Sequence, residues 1–432
     1  MSRTKFSIIR TGLMAAATLI VGASAANAAG FYIQEQSVRG LGSAFSGSTT
    51  TLNDASTVYF NPAGMTQLPG LQAQAGVHVI IPDSKVKDTG STAPLGMTLG
   101  GSSGNPYDPT PVPNGFVSYQ ATDNLWFGIG VTAPFGLASD YGDTWFGRFD
   151  STKTELAVID VQPTIAYKIN EMFSIGAGVN IQHSDADLRN SVNLVGLGLG
   201  EGQSKLEGDD FGYGYSLGIQ FRPWDHTTFG LSYKSEVHHE LDGKIEVKQL
   251  STGNIVASQS SNGSAKLNTP DHLTFGGSHQ LNDRLTIQGQ ATWFGWSNFD
   301  AITAVRDSGA VASSVQQNYQ NTWAFAVGAE YMVNDAWTVR GGVQFDETPT
   351  TDEFRTSRTP DGDRTWISAG ATYALNEKID LDMAGTYIFV EDGTINLQRG
   401  AANPTTGAGA GNMRAKTEGS VGILALGMTY KF

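Results

Sequence analysis

The chain has 432 residues, a formal net charge of −14 and no cysteine. That acidic balance makes nucleic acid a poor partner, and the lack of thiols excludes a disulfide framework, thiolate metal sites and a lipid-anchored cysteine. With 53 glycines, 21 Phe, 14 Tyr and 8 Trp but only 16% charged residues, the composition suits sheet better than a helical enzyme.

Residues 1–28 read as a secretory signal peptide. Arg3, Lys5 and Arg10 precede an apolar run from Gly12 to Ala25 and the small triplet Ala26-Asn27-Ala28. Cleavage after Ala28 removes three basic residues and no acid, taking the net charge from −14 to −17. Beyond it no apolar run approaches the roughly 18 residues of a spanning helix.

Residues 29–70 do not alternate. They are rich in Gly, Ser, Thr and Ala and read as turns and short helices ahead of the first strand. A wide barrel leaks unless its lumen is filled, so this segment is expected to form an N-terminal hatch (plug) inside it.

From Leu71 to Phe432 the pattern is that of an all-β, transmembrane antiparallel β-barrel. Short polar turns recur at Asp123-Asn124, Asn170-Glu171, Asp225-His226, Asn282-Asp283, Asn334-Asp335 and Asn376-Glu377, while the opposite connections, such as Asp83 to Pro111 and Phe354 to Gly362, are long. Between them the segments alternate. Phe211, Tyr213, Tyr215, Leu217, Ile219 and Phe221 share one face, opposite Gly212, Gly214, Ser216, Gly218, Gln220 and Arg222. The final segment places Leu424, Leu426, Met428, Tyr430 and the terminal Phe432 on one face, the arrangement of a bacterial barrel's assembly signal. The segments number about fourteen, an even count as closed bacterial barrels require.

Several motifs need weighing. His238-His239-Glu240 suggests a metal, but adjacent residues on a strand point to opposite faces, so the trio reads as solvated loop. Gly212, Gly214 and Gly218 imitate a dinucleotide fingerprint without the helix it needs, and read as wall. The run from Ser191 to Gly200, with Leu194, Val195, Leu197 and Leu199, is an apolar connection on the long-loop side and a candidate for substrate capture, with Trp145, Phe146 and Phe149 as its opposing wall; packing against neighbouring loops is the plain alternative. Strand parity puts Lys234 and Arg340 on the lumen side as possible contacts for a carboxylate head group, against the plainer expectation that lumen charges pair with one another.

Ala29-Gly30-Phe31, the run Gly40 to Gly47, Asp54-Ala55 and Asn61-Pro62-Ala63-Gly64, followed by Ala133-Pro134-Phe135-Gly136-Leu137 and Trp145 to Phe149, resemble in order and spacing the FadL-type outer-membrane transporters of long-chain fatty acids and hydrocarbons. The resemblance implies a fourteen-stranded barrel closed by a hatch that includes Gly30, Phe31, Asn61, Pro62 and Ala63. It implies capture of substrate by outer loops, a pocket in the barrel, and sideways release at a kink in the third strand, here Pro134, Phe135 and Gly136. The family's basic pocket residue falls near His183 to Asp187, where this chain offers Asp185 instead, which favours aromatic or other neutral hydrocarbons as the alternative substrate.

The expected function is passive uptake of a hydrophobic small molecule, long-chain fatty acids first, without enzymatic activity, cofactor or metal. The expected setting is the outer membrane of a Gram-negative cell. The chain would be a monomer in contact with membrane lipid and lipopolysaccharide, inserted by the barrel assembly machinery. The rival from another class is a lipid hydrolase, which needs a serine, a histidine and an orienting partner; none of the seven histidines sits beside a recognisable nucleophile motif.

Overall fold

The computed structural model describes residues 30–94, 96–398 and 411–432; the expected signal peptide lies outside them. The wall is one antiparallel sheet closed on itself, since its first strand pairs with both the second and the last. Eighteen strand segments make fourteen barrel strands, because four strands are each broken once. In chain order they are β1 Leu71–Asp88, β2 Thr110–Thr122, β3 Leu125–Asp140, β4 Lys153–Lys168, β5 Phe173–Asn193 and β6 Glu201–Trp224. The broken strands follow: β7 Thr227–Lys234 and Val237–Gln249, β8 Ser261–Thr269 and His272–Gln280, β9 Leu285–Phe294 and Ala301–Arg306, and β10 Val311–Gln316 and Thr322–Met332. The last four, β11 Trp337–Asp346, β12 Arg364–Asn376, β13 Ile379–Gln398 and β14 Asn412–Lys431, are continuous.

Alternation decides which side each residue faces. On β6, Tyr213, Tyr215, Leu217 and Ile219 are exposed toward lipid while Ser216 and Gln220 are buried toward the lumen. On β14, Leu424, Leu426, Met428 and Phe432 face outward, with Ala425 and Thr429 inward. His238, His239 and Glu240 belong to the second segment of β7 rather than to a loop. They do alternate: His238 and Glu240 are exposed, and His239 is buried within 3.3 Å of the Gln182 Oε1. The apolar connection is also shorter than its sequence suggests, because β5 runs to Asn193 and only residues 194–200 turn.

Residues 30–70 fill the lumen. Helix α1, Val38–Gly42, starts where the Ser37 hydroxyl accepts the Gly40 N–H at 3.1 Å. Its Arg39 ties the hatch to the wall, 2.8 Å from Asp380, 2.9 Å from Asp382 and 3.4 Å from Asp54 of the hatch itself. Helix α2, Thr57–Phe60, leads into a 3-10 turn, Pro62–Gln67, whose cap Asn61 donates to the carbonyls of Thr49 at 2.9 Å and Ile219 at 3.0 Å. That turn sits directly on bare backbone of β5 and β6. A side chain at Gly218 would start 2.2 Å from the Asn61 Oδ1, and one at Gly176 would start 2.6 Å from the Ala63 N, so close approach requires glycine at both.

Candidate lumen pocket and lateral gap

The wall has one defect that the hatch repairs. Pairing between β2 and β3 runs from Thr122 opposite Leu125 to Gly115 opposite Val131 and stops, although β2 begins at Thr110 and β3 continues to Asp140. Pairing between β3 and β4 slips between Thr132 and Phe135, a bulge at Ala133-Pro134 where proline has no N–H to give. From Thr132 to Leu137 all six residues are buried, where a straight wall strand would alternate. Above Val131, β3 is therefore buried and leaves a gap in the pairing beside β2.

An unpaired strand edge needs partners, and the start of the hatch supplies them. The Ile33 N–H donates to the Pro134 carbonyl at 2.7 Å and the Gly136 N–H to the Phe31 carbonyl at 2.9 Å. The Gln36 side chain closes the ladder, giving its amide to the Ala133 carbonyl at 2.9 Å and accepting the Ala133 N–H at 3.2 Å. Tyr32 thus stands opposite Phe135 as a strand partner. One residue earlier the Gly30 N–H reaches the Asp361 carboxylate at 2.9 Å, tying the segment to the loop between β11 and β12.

Phe31 is the hinge of this arrangement. Its ring is 2% exposed and meets Trp296 at 4.9 Å, Phe299 at 5.1 Å and Phe135 at 5.9 Å between centroids. Trp296 and Phe299 come from the break in β9, which turns them inward instead of leaving them on the wall. Glu35, four residues on, is buried beside this cluster with its Oε2 unpartnered among the described residues; burial pushes its carboxyl up to about 7, against the pull of Arg364.

Beside Phe31 lies an apolar slot. Leu137, Leu156, Ala186, Leu206, Leu241 and Leu267 contribute from β3 through β8, and Phe299 and Ile302 from β9. Its clear space is about 50 Å³ inside a concavity of about 680 Å³ that includes open solvent. The polar lining comes mainly from Thr154, Gln317, Arg358 and Thr359; the Arg358 guanidinium donates to the Thr154 hydroxyl at 2.9 Å and to the Arg189 carbonyl at 3.1 Å. Lys266 also borders the slot, but it sits on the outward parity of β8 and is exposed.

The slot exists because the strands invert their polarity part-way up. Low on β5, Ile175 and Val179 face outward and Ser174, Asn180 and Gln182 inward; higher up, Asp185, Asp187 and Arg189 take the outward parity while Ala186 and Leu188 point in. The same inversion runs through Lys205-Leu206-Glu207 on β6 and Glu240-Leu241-Asp242 on β7. On these three strands the lumen side is polar where the outer side is apolar, and apolar where charges take the outer side.

Asp185 is accordingly exposed on the outside of β5 and has no place in the pocket, so it does not count against an anionic substrate. Trp145 and Phe146 are buried away from the slot, with Trp145 stacked on Tyr141 at 4.1 Å over Val86, Ile395, Leu397 and Met413. Phe149 is half-buried under the Arg148 guanidinium, 4.6 Å from its ring centroid. At the tip of the β5–β6 hairpin Leu194 is buried over Gly202 and Leu199 half-buried, whereas Val195 is 46% and Leu197 51% exposed. Arg148 joins the two loop groups through its 2.7 Å ion pair with Glu201, yet neither group lines the slot. Arg340 pairs with Glu330 at 2.9 Å and donates to the Thr372 hydroxyl at 2.8 Å. Lys234 is buried in the lumen, donating to the Gln162 Oε1 at 2.8 Å, with its ammonium 3.8 Å above the Tyr59 ring. Gly30, Phe31, Pro134, Phe135 and Gly136 meet at the kink, while Asn61, Pro62 and Ala63 sit apart, on β5 and β6.

Residues 19–432 match the family model described as "Outer membrane protein transport protein (OMPP1/FadL/TodX)". The chain belongs to this family. A long-chain fatty acid transport protein of Escherichia coli is 28% identical over 94% of each chain, and outer membrane protein P1 of Haemophilus influenzae 27% over 90% of this chain and 94% of that one. Among solved structures, a Pseudomonas aeruginosa FadL homologue superposes with a TM-score of 0.84 at 27% identity, covering 94% of this chain and all of the other. The toluene transporter TodX of Pseudomonas putida gives 0.67 at 17% identity, covering 92% and 99%, a likeness of fold. With its closed barrel and lumen hatch, this member of the FadL/TodX family is an outer-membrane transport protein.

Proposed function

We propose that the chain admits hydrophobic compounds passively, long-chain fatty acids first among them, and releases them sideways into the membrane through the gap between β2 and β3. The observation that carries this reading is the apolar slot abutting Phe31, the residue whose segment plugs the gap. Exposed Val195 and Leu197 offer a first apolar landing outside. The substrate then enters the slot, and withdrawal of Phe31–Ile33 from the kink opens the way out. Each CH₂ leaving water gains roughly 0.8 kcal/mol, so transfer of a long acyl chain to the bilayer runs downhill and needs no cofactor. The clear space of about 50 Å³ is too small for such a chain, so entry and withdrawal of the hatch segment are one event. The Arg358 guanidinium on the slot lining is suited to a carboxylate. The setting proposed is a single barrel in contact with lipopolysaccharide, placed there by the barrel assembly machinery.

Uptake of aromatic hydrocarbons is the second reading, and it has its own support: the rings of Phe31 and Phe299 line a narrow slot that suits a flat molecule. Initial uptake of labelled oleate and labelled toluene, in cells deleted for the gene and carrying it back, separates the two. Rescue of oleate uptake supports the first and rescue of toluene alone the second. Hydrolysis of a lipid ester by the purified protein would replace both with the hydrolase that the family's transport character speaks against.

A further inference from the structure

The loop between β11 and β12 leaves the barrel on the long-loop side and then turns inward. Its residues Arg355 to Gly362 are all buried although none lies in a helix or strand. They read Arg-Thr-Ser-Arg-Thr-Pro-Asp-Gly and carry no large apolar side chain, so polar contacts hold the segment where a hydrophobic core would otherwise fix it. The Tyr141 hydroxyl donates to the Ser357 carbonyl at 2.8 Å and the Ser357 N–H to the Asp150 carboxylate at 2.7 Å, which ties the loop to the β3–β4 connection. Arg358 and Thr359 line the slot, with the Arg358 guanidinium on the carbonyls of Lys153 and Arg189 and the Thr359 hydroxyl 2.8 Å from that of Tyr319. Asp361 reaches the hatch: one oxygen accepts the Gly30 N–H at 2.9 Å and the Thr348 hydroxyl at 2.7 Å, and the other pairs with Arg364.

The slot, with about 50 Å³ of clear space, admits no acyl chain until a wall yields. Leu137, Leu156, Ala186, Leu206, Leu241 and Leu267 sit on strands held by ladders on both sides or nearly so, whereas the loop has no ladder to break and little buried apolar surface to lose. Segments of that kind open first. Lifting the loop takes Asp361 from the Gly30 N–H, the first hold on the hatch. A second pairing stands ready for Arg364, beneath Asp361: its Nε and Nη1 have no hydrogen-bond partner among the described residues, and neither do the Glu35 Oε2 and the Asp346 Oδ1, on two buried acids within reach of its field. When Asp361 departs, the guanidinium can turn to these acids, so the buried cation is not stranded. Two discrete pairings of one side chain are what a switch requires. We infer that the β11–β12 loop is an inward-folded lid latched to the hatch by Asp361, and that a substrate entering the slot lifts the lid and thereby frees the start of the hatch. A ligand that occupies the slot only with the lid raised shifts the population toward the released hatch. This inference rests on the withdrawal of the hatch segment proposed above and adds what sets it off.

Hydrogen exchange read by mass spectrometry on the purified full chain tests the coupling. In wild type, added oleate or toluene should quicken residues 355–362 and 30–36 together. Asp361→Ala should quicken residues 30–36 about tenfold with no ligand present, and ligand should then add little. The double variant Asp150→Cys with Ser357→Cys puts the only thiols of the chain where the lid meets the β3–β4 connection. Joined by a short thiol-reactive crosslinker, it should keep residues 30–36 at their ligand-free rate when ligand is added; left unjoined, it should respond as wild type does. Quickening of residues 30–36 by ligand under a joined lid overturns the inference. So does Asp361→Ala with hatch exchange within twofold of wild type, and so does a wild type whose lid and hatch respond to neither compound. If a disulfide locking Tyr32 to Phe135 leaves uptake of both compounds unchanged, the lateral exit itself has failed, a result that none of the exchange measurements gives.

Discussion

Phe31→Ala should loosen the plug of the gap and speed uptake. The ring is almost wholly buried between Phe135, Trp296 and Phe299, and truncating such a phenylalanine costs about 3–5 kcal/mol. The segment keeps the pair of backbone hydrogen bonds to Pro134 and Gly136, the Gln36 pair with Ala133 and the Gly30 bond to Asp361, each worth about 1 kcal/mol net, and the buried side chains of Tyr32 and Ile33. The ring is one of three buried side-chain anchors. At about 1.4 kcal/mol per tenfold, its loss raises the population of the withdrawn segment by about 10² or more. Hydrogen exchange read by mass spectrometry over residues 31–36 and 132–137 should quicken by that factor, with exchange of the β13–β14 ladder unchanged. Initial uptake of oleate should rise several-fold. Protection left within threefold of wild type would refute the assignment of Phe31 as an anchor, and faster exchange with no gain in uptake would refute release of this segment as the step that limits passage.

Arg39→Met leaves the buried carboxylates of Asp54, Asp380 and Asp382 without their shared cation, a loss of about 3–5 kcal/mol in hatch docking; leakage of small hydrophilic solutes through the variant should increase, and unchanged leakage argues against Arg39 as an anchor. Glu35 gives a pH dependence of definite sign. Its folded pKa of about 7 lies above the ordinary value of 4.5, so between those limits the docked hatch binds more protons than the free chain and docking weakens as pH rises, by roughly 3 kcal/mol in all. Protection of the hatch amides, taken relative to the base-catalysed exchange of free peptide at each pH, should be lower at pH 8 than at pH 5, and Glu35→Gln should remove most of that difference; a variant with the wild-type pH dependence of protection contradicts it. Gly136→Val crowds the buried turn of the kink beside Phe31, and should lower uptake at least fivefold in a barrel that still resists heat-induced unfolding on a gel; normal uptake counts against passage there.

Much of the barrel was legible because lipid enforces alternation. Tyr213 to Phe221 and Leu424 to Phe432 carry period-two patterns that hold in the structure, and the short polar turns fall between strands as expected. The close approach of the hatch to Gly176 and Gly218 was not legible, since Gly218 reads from sequence only as wall and its purpose appears once Asn61-Pro62-Ala63 is seen lying on it. The pocket was harder to see. Its leucines alternate with charged residues, as in Asp185-Ala186-Asp187-Leu188-Arg189, and a rule that sends apolar residues to lipid puts them on the wrong side. The cue available is the phase shift itself: once charges take over the outward parity, the strand has left the membrane and its apolar residues line the lumen. Trp145 and Phe146 misled for another reason, because long loops need cores of their own and the largest rings go there. The breaks in β7 through β10 lie at Ser235-Glu236, Pro270-Asp271, Gly295 to Asp300 and Gln317 to Asn321, stretches that read as ordinary loops; only the three-dimensional register turns Trp296 and Phe299 inward to meet Phe31.

The lateral exit can be locked directly. Tyr32 and Phe135 face each other between the hydrogen bonds Ile33 to Pro134 and Gly136 to Phe31, so they form a non-hydrogen-bonded antiparallel pair, with Cα atoms about 4.5 Å apart and within disulfide reach. The natural chain has no cysteine, so Tyr32→Cys with Phe135→Cys introduces the only thiols. Uptake of labelled oleate and toluene by cells carrying this variant, oxidised and then reduced, should be lost on oxidation and return on reduction if compounds leave through the gap between β2 and β3. Unchanged uptake by a fully cross-linked barrel would contradict that route.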